Sequence, residues 1–487
     1  MGRKKEQKVI KKKGSRGQEN GGPTMMVKML VLLCVVSSMA LVLQLNLTNQ
    51  QNLMLRNIKG ADEPRMWSAQ RAIPTCRPRR HLVFLKTHKC GSSTIQNVLM
   101  RYADANNLSV ALPYSGQYLD DVAVGQSIKV RELKASPFAP PTGKYHFLIH
   151  HTRLNVRAIQ QLTYDDSVWV TIVREPSAVF ESMFHYYHLH KFYGATFDHL
   201  VWKLEGNPTS KAKFKNANNR YMGRLGRNQI TWDMGLDDLD MRQESLLKEA
   251  INILDQTFHL VLVAERMDES LVLLRHLMCW TEEDVVAMAR NVRKDRYRSY
   301  LSEHSVNTLE HFNAADVKLY AYFKDRFDKH VEAFGRGRME EEVTSLREMR
   351  DKVWKECGLK ETNSVSKRRA HKDMERYLVV QYKVHNNGST RQQKYCTDLV
   401  RSSIEYTQKL RWKQYSRFHF NINNPWNLTW SLPSPKRKSR IKSRRSSVSK
   451  GRRYQQRAWR LAHHHPPKEK VKGRVLASST TEKFHLD

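Results

Sequence analysis

The stretch HLVFLKTHKCGSSTIQNVLM, residues 81–100, has the pattern of a strand, a loop and the start of a helix. Its first five residues are mostly apolar, and an amphipathic segment follows the loop. The first N–H groups of a helix have no partner within the helix and attract anions. Gly91 lets a ligand approach the backbone, three hydroxyls follow it, and Lys89 adds a charge. The stretch therefore predicts a phosphate site.

The position of the lysine distinguishes two kinds of phosphate loop. A P-loop kinase or ATPase carries G-x-x-x-x-G-K-[ST], with the lysine directly after the second glycine. Here the first glycine is missing, and Lys89 stands two residues before Gly91. This order resembles the loop with which sulfotransferases bind the 5′-phosphosulfate of 3′-phosphoadenylyl sulfate (PAPS). Taken alone, the loop leaves open an ordinary strand-to-helix turn with a serine N-cap.

A second stretch, IVREPSAVFES at residues 172–182, supports the nucleotide interpretation. Arg174 stands at the predicted end of a strand, and Ser182 lies about two turns into the next helix. This spacing resembles the element with which sulfotransferases bind the 3′-phosphate, and arginine offers a planar fork of donors for it. The alternative is an arginine paired with Glu175 before a helix that Pro176 opens. The two stretches together favour a nucleotide-sulfate site.

The hydrophobic pattern predicts an α/β fold with a central parallel sheet flanked by helices. Four short apolar runs have the composition of buried strands, at residues 81–85, 145–151, 166–175 and 258–267. Helical patterns follow them at residues 93–103, 154–163, 177–190, 243–256 and 269–280. Strands that alternate with helices indicate a parallel sheet, in which ligands bind at the carboxyl ends of the strands. Residues 282–356 predict a helical C-terminal part, whereas residues 357–430 remain unassigned.

Both ends of the chain differ from its middle. Residues 1–28 are basic, and residues 29–45 form an apolar run that we interpret as a transmembrane signal-anchor. A polar stem at 46–75, a lumenal domain at 76–430 and a disordered basic tail at 431–487 would follow. The alternative to the anchor is a signal peptide cleaved near Ala40. Much of the net charge of +36 lies in the two ends, so it does not indicate a specific nucleic-acid partner.

The cysteines and glycosylation sequons are consistent with a secreted or lumenal domain. Of six cysteines, five follow the apolar run, and an oxidising lumen permits disulfides among them. Four of these can pair in three ways, and we expect Cys90, inside the phosphate loop, to be the free thiol. N-x-[ST] sequons stand at Asn46, Asn107, Asn387 and Asn427.

Four motifs together resemble the galactose-3-O-sulfotransferase family. They are HLVFLKTHKCGSST, HHTRLN at 150–155, IVREPSAVFES, and AERMDESLVLLRHLMCW at 264–280. The resemblance covers about residues 76–415 and leaves out the N-terminal 28 residues and the tail after 435. It implies a P-loop-like sulfotransferase fold in a Golgi type II membrane protein. It also implies sulfuryl transfer from PAPS, without a metal, to the 3-hydroxyl of a terminal β-galactose on galactosylceramide or on a glycoprotein glycan.

The resemblance and the loop chemistry give a set of candidate site residues. Those expected to bind the donor are Lys86, Thr87, Lys89, Cys90, Gly91, Ser92, Ser93, Thr94, Arg174 and Ser182. Lys89 would also stabilise the leaving phosphate oxygen. His88 is the first choice for the general base, because histidine titrates near neutral pH, and His150 and His151 are the alternatives. Relatives usually carry a small residue such as threonine where this chain has Cys90.

Two other functions compete with this one. A lumenal P-loop kinase would need Mg²⁺ near a strand-end acid, for which Glu265 and Asp268 are available. A non-catalytic module that binds glycans or polyanions would use the basic tail. We prefer a tail that binds acidic partners or retains the enzyme in the Golgi.

Two further segments invite a functional interpretation. The run HYYHLH at 185–190 puts His185 and His188 on one predicted helix face, but it lacks an evident third metal ligand. The segment 220–237 contains Arg, Asn, Gln and Trp side chains suited to sugar or adenine contacts, and a plain surface loop is its alternative.

Overall fold

A computed structural model describes most of the predicted lumenal domain. The described residues are 27–39, 41, 76–120, 128–206, 226–237, 242–289, 301–362, 380–385 and 388–419. The predicted stem, the basic tail and nearly all of the N-terminal basic segment lie outside them. The boundaries proposed for those segments therefore stay predictions.

Four parallel strands form the central sheet, as the sequence predicts. They are β1 (Leu82–Leu85), β2 (Phe147–Leu148), β3 (Val168–Val173) and β4 (Leu260–Val263). Their order in the sheet is β2-β1-β3-β4, and all three pairings are parallel. Every residue of these strands is buried, which explains why they appear in the sequence as continuous apolar runs.

Helices flank the sheet and build most of the C-terminal part. The first of them are α1 (27–39), α2 (Ser92–Ala105), α3 (Val130–Lys134), α4 (Val156–Gln160), α5 (Pro176–Tyr186), α6 (His190–Tyr193), α7 (Phe197–Gly206), α8 (Gln229–Asp233), α9 (Glu244–Thr257) and α10 (Met267–Met278). The others are α11 (Glu282–Val285), α12 (Glu303–Phe312), α13 (Ala314–Phe334), α14 (Arg336–Glu356), α15 (Thr390–Val400) and α16 (Ser403–His419). The five helices predicted between and after the strands are all present, with shifted ends.

Local signals account for several of the helix starts. Pro176 occupies the first turn of α5, and the Glu175 carboxylate accepts hydrogen bonds from two N–H groups of that turn. Asn155 caps α4 in the same way, and Thr281 forms a capping box with Asp284 at α11. These caps fix where the helices begin, so each helix leaves its strand in a defined direction.

The segment that the sequence left unassigned contains a hairpin and two helices. Strands β5 (Lys360–Thr362) and β6 (Gln381–Lys383) pair antiparallel, apart from the central sheet. Helices α15 and α16 follow and pack against α2. Gln414 of α16 accepts from the Val110 N–H and donates to the Val110 carbonyl. The end of the described chain is thus fastened to the first third of the domain.

Two disulfides close long loops of the domain. Cys76 pairs with Cys279, and Cys357 pairs with Cys396, across separations of 203 and 39 residues. Cys90 is a buried free thiol, which confirms its predicted state. This pairing selects one of the three connectivities that the sequence allowed.

Helix α1 covers part of the predicted membrane span. Its apolar side chains, such as Leu30 and Leu32, are more than half exposed. Within the part of the chain that the structure describes, no helix meets the length and apolar character needed to cross a bilayer.

Candidate functional site

The carboxyl ends of the strands bring the predicted site residues to one edge of the sheet. Lys86 directly follows β1, and Arg174 directly follows β3. The chain passes from β1 to β2 on one side and then to β3 on the other side of β1. Such a reversal is where open parallel sheets bind their ligands.

Contacts between the backbone and side chains hold the phosphate loop against the neighbouring strand. The Thr87 hydroxyl donates to the Ile172 carbonyl at 2.6 Å, and the Ser92 hydroxyl donates to the Thr87 carbonyl at 2.7 Å. Arg174 Nη1 donates to the Lys89 carbonyl at 3.0 Å. The two stretches singled out in the sequence therefore meet in the folded protein.

The loop backbone takes an unusual path at two positions. Lys89 has φ 59° and Gly91 has φ 72°, both in the left-handed region. A lysine rarely adopts this conformation, and such strain is concentrated at functional sites. A Cβ at Gly91 would lie 3.1 Å from Met267 Cε. No side chain caps this 14-residue helix, because Gly91 stands at its N-cap, and the N-terminal end of a helix favours an anion.

Two lysines differ sharply in their surroundings. Lys86 is 4% exposed, and its ammonium donates to the Ser92 and Ser93 hydroxyls at 3.1 and 3.2 Å. Burial, with a smaller contribution from Lys89, lowers the pKa of Lys86 from 10.5 to about 7. Lys89 Nζ instead lies 3.7 Å from the centroid of the Tyr186 ring. Lys86 is thus a buried part of the loop, hydrogen-bonded to two hydroxyls at the start of α2.

His88 is held at both ring nitrogens. It is 6% exposed, and its Nδ1 lies 2.9 Å from both carboxylate oxygens of Asp233. The His88 backbone N–H also donates to Asp233 Oδ2 at 2.7 Å. On the other side of the ring, Nε2 lies 3.0 Å from the Tyr118 hydroxyl. The His151 ring stacks on His88 with centroids 4.3 Å apart.

Asp233 and Tyr118 are site residues that the sequence analysis missed. Asp233 stands in the run ITWDMGL, residues 230–236, where an acid among apolar neighbours could have signalled a buried carboxylate. The described part of the segment 220–237 forms α8 and is mostly buried, so the surface-loop alternative is wrong for residues 226–237. Trp232 packs against Arg153, whose guanidinium lies 3.9 Å from its ring.

The two alternative histidines are placed differently from His88. His150 is fully buried and its Nε2 lies 2.9 Å from the Thr407 hydroxyl, while burial lowers its pKa to about 3. His151 Nδ1 donates to the Lys86 carbonyl at 2.8 Å, and burial lowers its pKa well below 6.5. A hydrogen bond therefore connects His150, which follows β2, to α16. Another connects His151 to the backbone of the loop.

The structure places two further donor-site candidates in α5 and in the loop before α2. Ser182 lies in α5, eight residues after Arg174. The Cys90 thiol donates to the His88 carbonyl at 3.2 Å and is buried, and burial raises its pKa. Pro176 does open α5, while the Glu175 carboxylate caps that helix. Cys90 consequently contributes packing and backbone to the loop.

Comparison with known proteins assigns this chain to a family. A family model described as galactose-3-O-sulfotransferase matches residues 16–414. The chain belongs to this family. Galactosylceramide sulfotransferase from Bos taurus is 33% identical over 297 residues, covering 60% of this chain and 67% of the relative. Galactose-3-O-sulfotransferase 3 from Homo sapiens is 33% identical over 286 residues, covering 58% of this chain and 64% of that protein.

A relative with a longer alignment extends the comparison. Galactose-3-O-sulfotransferase 4 from Bos taurus is 28% identical over 436 residues, covering 74% of this chain and 88% of its own length. The chain spans about two thirds of the length of the galactosylceramide sulfotransferases that it matches. The family match begins at residue 16, so the expectation that all of the first 28 residues lie outside the resemblance is wrong.

The structure does not favour the metal sites that the sequence left open at Asp268 and at His185 and His188. Asp268 pairs with Arg347 and Arg350 of α14, at 2.7 and 2.8 Å. Helix α5 ends at Tyr186, and His188 has φ 52° beyond it, so His185 and His188 do not share a helix face as predicted. Among the described residues, no group of three or more His, Cys, Asp or Glu side chains is arranged to hold a metal ion.

Proposed function

We propose that this protein transfers the sulfuryl group of PAPS to the 3-hydroxyl of a terminal β-galactose. The observation that carries the proposal is the hydrogen bond from Arg174 to the Lys89 carbonyl, which joins the two predicted phosphate elements. Membership of the galactose-3-O-sulfotransferase family supports the reaction class. The proposed fold is accordingly a P-loop-like sulfotransferase fold.

The donor would lie across the carboxyl edge of the sheet. The N-terminus of α2 and the hydroxyls of Ser93 and Thr94 would receive the 5′-phosphosulfate, because donors and dipole point there. Arg174 and Ser182 would bind the 3′-phosphate and fix the direction of the nucleotide. Hydrogen bonds made by the side chains of Lys86, Thr87 and Ser92 hold this loop in place.

Transfer is an in-line displacement in which the galactose oxygen bonds to sulfur and the nucleotide phosphate departs. Lys89 would balance the charge that grows on the leaving oxygen, which is the usual task of a cation beside a developing anion. His88 would be the base of the reaction, since Asp233 holds its Nδ1 and His88 is the chain neighbour of Lys89. His150 and His151 are less suited to this task because burial lowers the pKa of both rings, which makes them weaker bases, and because their contacts are structural.

The acceptor and the cellular site extend the same proposal. Relatives named galactosylceramide sulfotransferase and galactose-3-O-sulfotransferase act on galactose, so a galactose-ended glycolipid or glycoprotein glycan is the proposed substrate class. Two disulfides in the described domain support an oxidising lumen. We place the protein in the Golgi membrane as a type II protein anchored by residues 29–45, with the tail after 431 free to bind acidic partners.

An acceptor panel tests the function directly. Purified protein is incubated with labelled PAPS and galactosylceramide, lactosylceramide, or type 1 and type 2 disaccharides, with ATP as the competing donor. We expect label on at least one galactose acceptor from PAPS, none from ATP, and loss of transfer in Lys89→Ala. Phosphate transfer from ATP would favour the kinase alternative. Protein that binds glycans through residues 431–487 but transfers no sulfate would favour the non-catalytic module.

A further inference from the structure

The Nε2 atom of the general base in the proposed reaction already has a tyrosine as its hydrogen-bond partner. His88 is buried, and its Nε2 is already engaged by the Tyr118 hydroxyl at 3.0 Å. Tyr118 keeps part of its surface exposed. The Tyr118 hydroxyl also lies 3.3 Å from the Tyr187 hydroxyl, so within the described residues the hydrogen-bonded chain runs from Asp233 through His88 to two phenols. An unprotonated imidazole nitrogen has one lone pair, so it cannot accept from Tyr118 and from a sugar hydroxyl together.

The partners of His88 fix where its proton sits. A carboxylate only accepts hydrogen bonds, so Asp233 requires the proton of neutral His88 on Nδ1. Nε2 is then an acceptor, and the Tyr118 hydroxyl must be the donor. Gln229 donates to Asp233 Oδ1 at 2.8 Å and holds the carboxylate in place. Burial raises the pKa of Tyr118, which keeps its proton available to donate.

Tyr118 is fixed by its backbone as well as by its hydroxyl. Its segment runs beside His151, three residues after β2, because Leu119 N donates to the His151 carbonyl at 2.8 Å and His151 N donates to the Gln117 carbonyl at 3.1 Å. The Gln117 side chain reaches the Thr407 hydroxyl of α16 at 2.9 Å. The phenol is thus held at His88 from two sides, so a substrate would meet it in a defined position.

We propose that Tyr118 is a catalytic relay between the attacking galactose hydroxyl and His88, with Asp233 as the positioning residue. This inference rests on the proposed sulfotransferase function. As the galactose oxygen bonds to sulfur, its proton passes to Tyr118 Oη and the phenolic proton passes to His88 Nε2. The bond from sulfur to the phosphate oxygen breaks, and its electron pair leaves on that phosphate. The histidine ends as an imidazolium paired with Asp233, and Tyr118 ends neutral.

Tyr118→Phe tests the relay, with Tyr114→Phe as the matched control. Tyr114 is an exposed tyrosine four residues earlier in the same segment. We expect Tyr118→Phe to lower kcat by about 10²-fold or more, the scale of one proton-transfer group, with unchanged affinity for adenosine 3′,5′-bisphosphate. Tyr114→Phe should match the wild type. Wild-type turnover in Tyr118→Phe would mean that the sugar reaches His88 directly, and the relay would be wrong.

Double variants separate a relay from a structural role. In a His88→Ala background, Tyr118→Phe and Asp233→Asn should each have little further effect on kcat, because residues that act as one unit are not additive. Fully additive losses would overturn the proposal. The Asp233→Asn variant keeps an oxygen that can accept a hydrogen bond from the His88 backbone N–H. The affinity of this variant for the nucleotide should therefore remain, whereas its kcat should fall. If wild-type protein binds no nucleotide and transfers no sulfate, the proposed function itself fails.

Discussion

Raising the pH should weaken nucleotide binding through one buried lysine. Lys86 donates to Ser92 and Ser93, and burial lowers its pKa to about 7. A phosphate in the loop favours the charged ammonium and raises that pKa again. Above neutral pH the free protein loses the proton whereas the complex keeps it. Binding must then take up a proton, so affinity falls as the pH rises.

The size of the effect follows from the two protonation states. We take a pKa of about 7 in the free protein and an ordinary lysine pKa in the complex. Between about pH 7.5 and about pH 9.5, the affinity should then fall roughly 70-fold, or about 2.5 kcal/mol. This range lies above the phosphate's own second pKa near 6, so the ligand's charge stays nearly constant.

Isothermal titration calorimetry with adenosine 3′,5′-bisphosphate measures both the affinity and the protons. Titrations in buffers of different ionisation enthalpy should show uptake of nearly one proton at about pH 8.5. Lys86→Met should bind more weakly at neutral pH and lose most of the pH dependence. Lys144→Met is the matched control, because Lys144 is a partly exposed lysine before β2, away from the carboxyl edge.

Three outcomes would refute this reasoning. Wild-type affinity that stays flat over this pH range would mean that the ligand does not interact with the Lys86 ammonium. An unchanged pH dependence in Lys86→Met would assign the titration to another group. A pH dependence that disappears in Lys144→Met would point to a charge effect without any specific role for the loop.

Substitutions at three positions test the rest of the site. His88→Ala should lower kcat by about 10²-fold or more in the sulfate-transfer assay, and near-normal turnover would remove it as the base. Arg174→Ala should weaken binding of adenosine 3′,5′-bisphosphate by about 10-fold or more, since a hydrogen bond to a charged group contributes ~1.5–3 kcal/mol; unchanged affinity would contradict its role. Gly91→Ala should reduce the free energy of unfolding by about 1–2 kcal/mol because Gly91 has a positive φ. In thermal denaturation, Gly91→Asn should lower the melting temperature less than Gly91→Ala does. Equal melting temperatures of the two variants would contradict this.

The sheet and its loop could be predicted because their signals are local. Each strand is a short apolar run, and the loop at 86–91 carries its glycine, lysines and hydroxyls within a few residues. Arg174 could be placed because it directly follows such a run. The predicted end of α5 was wrong because His188 leaves the helix in a left-handed conformation, which the apolar pattern does not reveal.

The environment of His88 could not be predicted in the same way. Asp233 lies 145 residues away along the chain, and Tyr118 lies 30 residues away. Their pairing depends on how α8 and the segment before β2 fold over the sheet edge. A single sequence gives no period or motif for such long-range contacts. His88 could therefore be predicted as a site residue, whereas Asp233 and Tyr118 could not be predicted as its partners.

Helix α16 has a consequence for how the protein matures. Thr407 reaches His150, Gln414 bonds to Val110, and Arg411 donates to the carbonyls of Pro113 and Gly116. The segment 110–118 thus takes its final position only after the last described helix has been synthesised and docked. A ribosome-bound or truncated chain that ends before residue 403 should therefore remain catalytically silent although its phosphate loop is already complete.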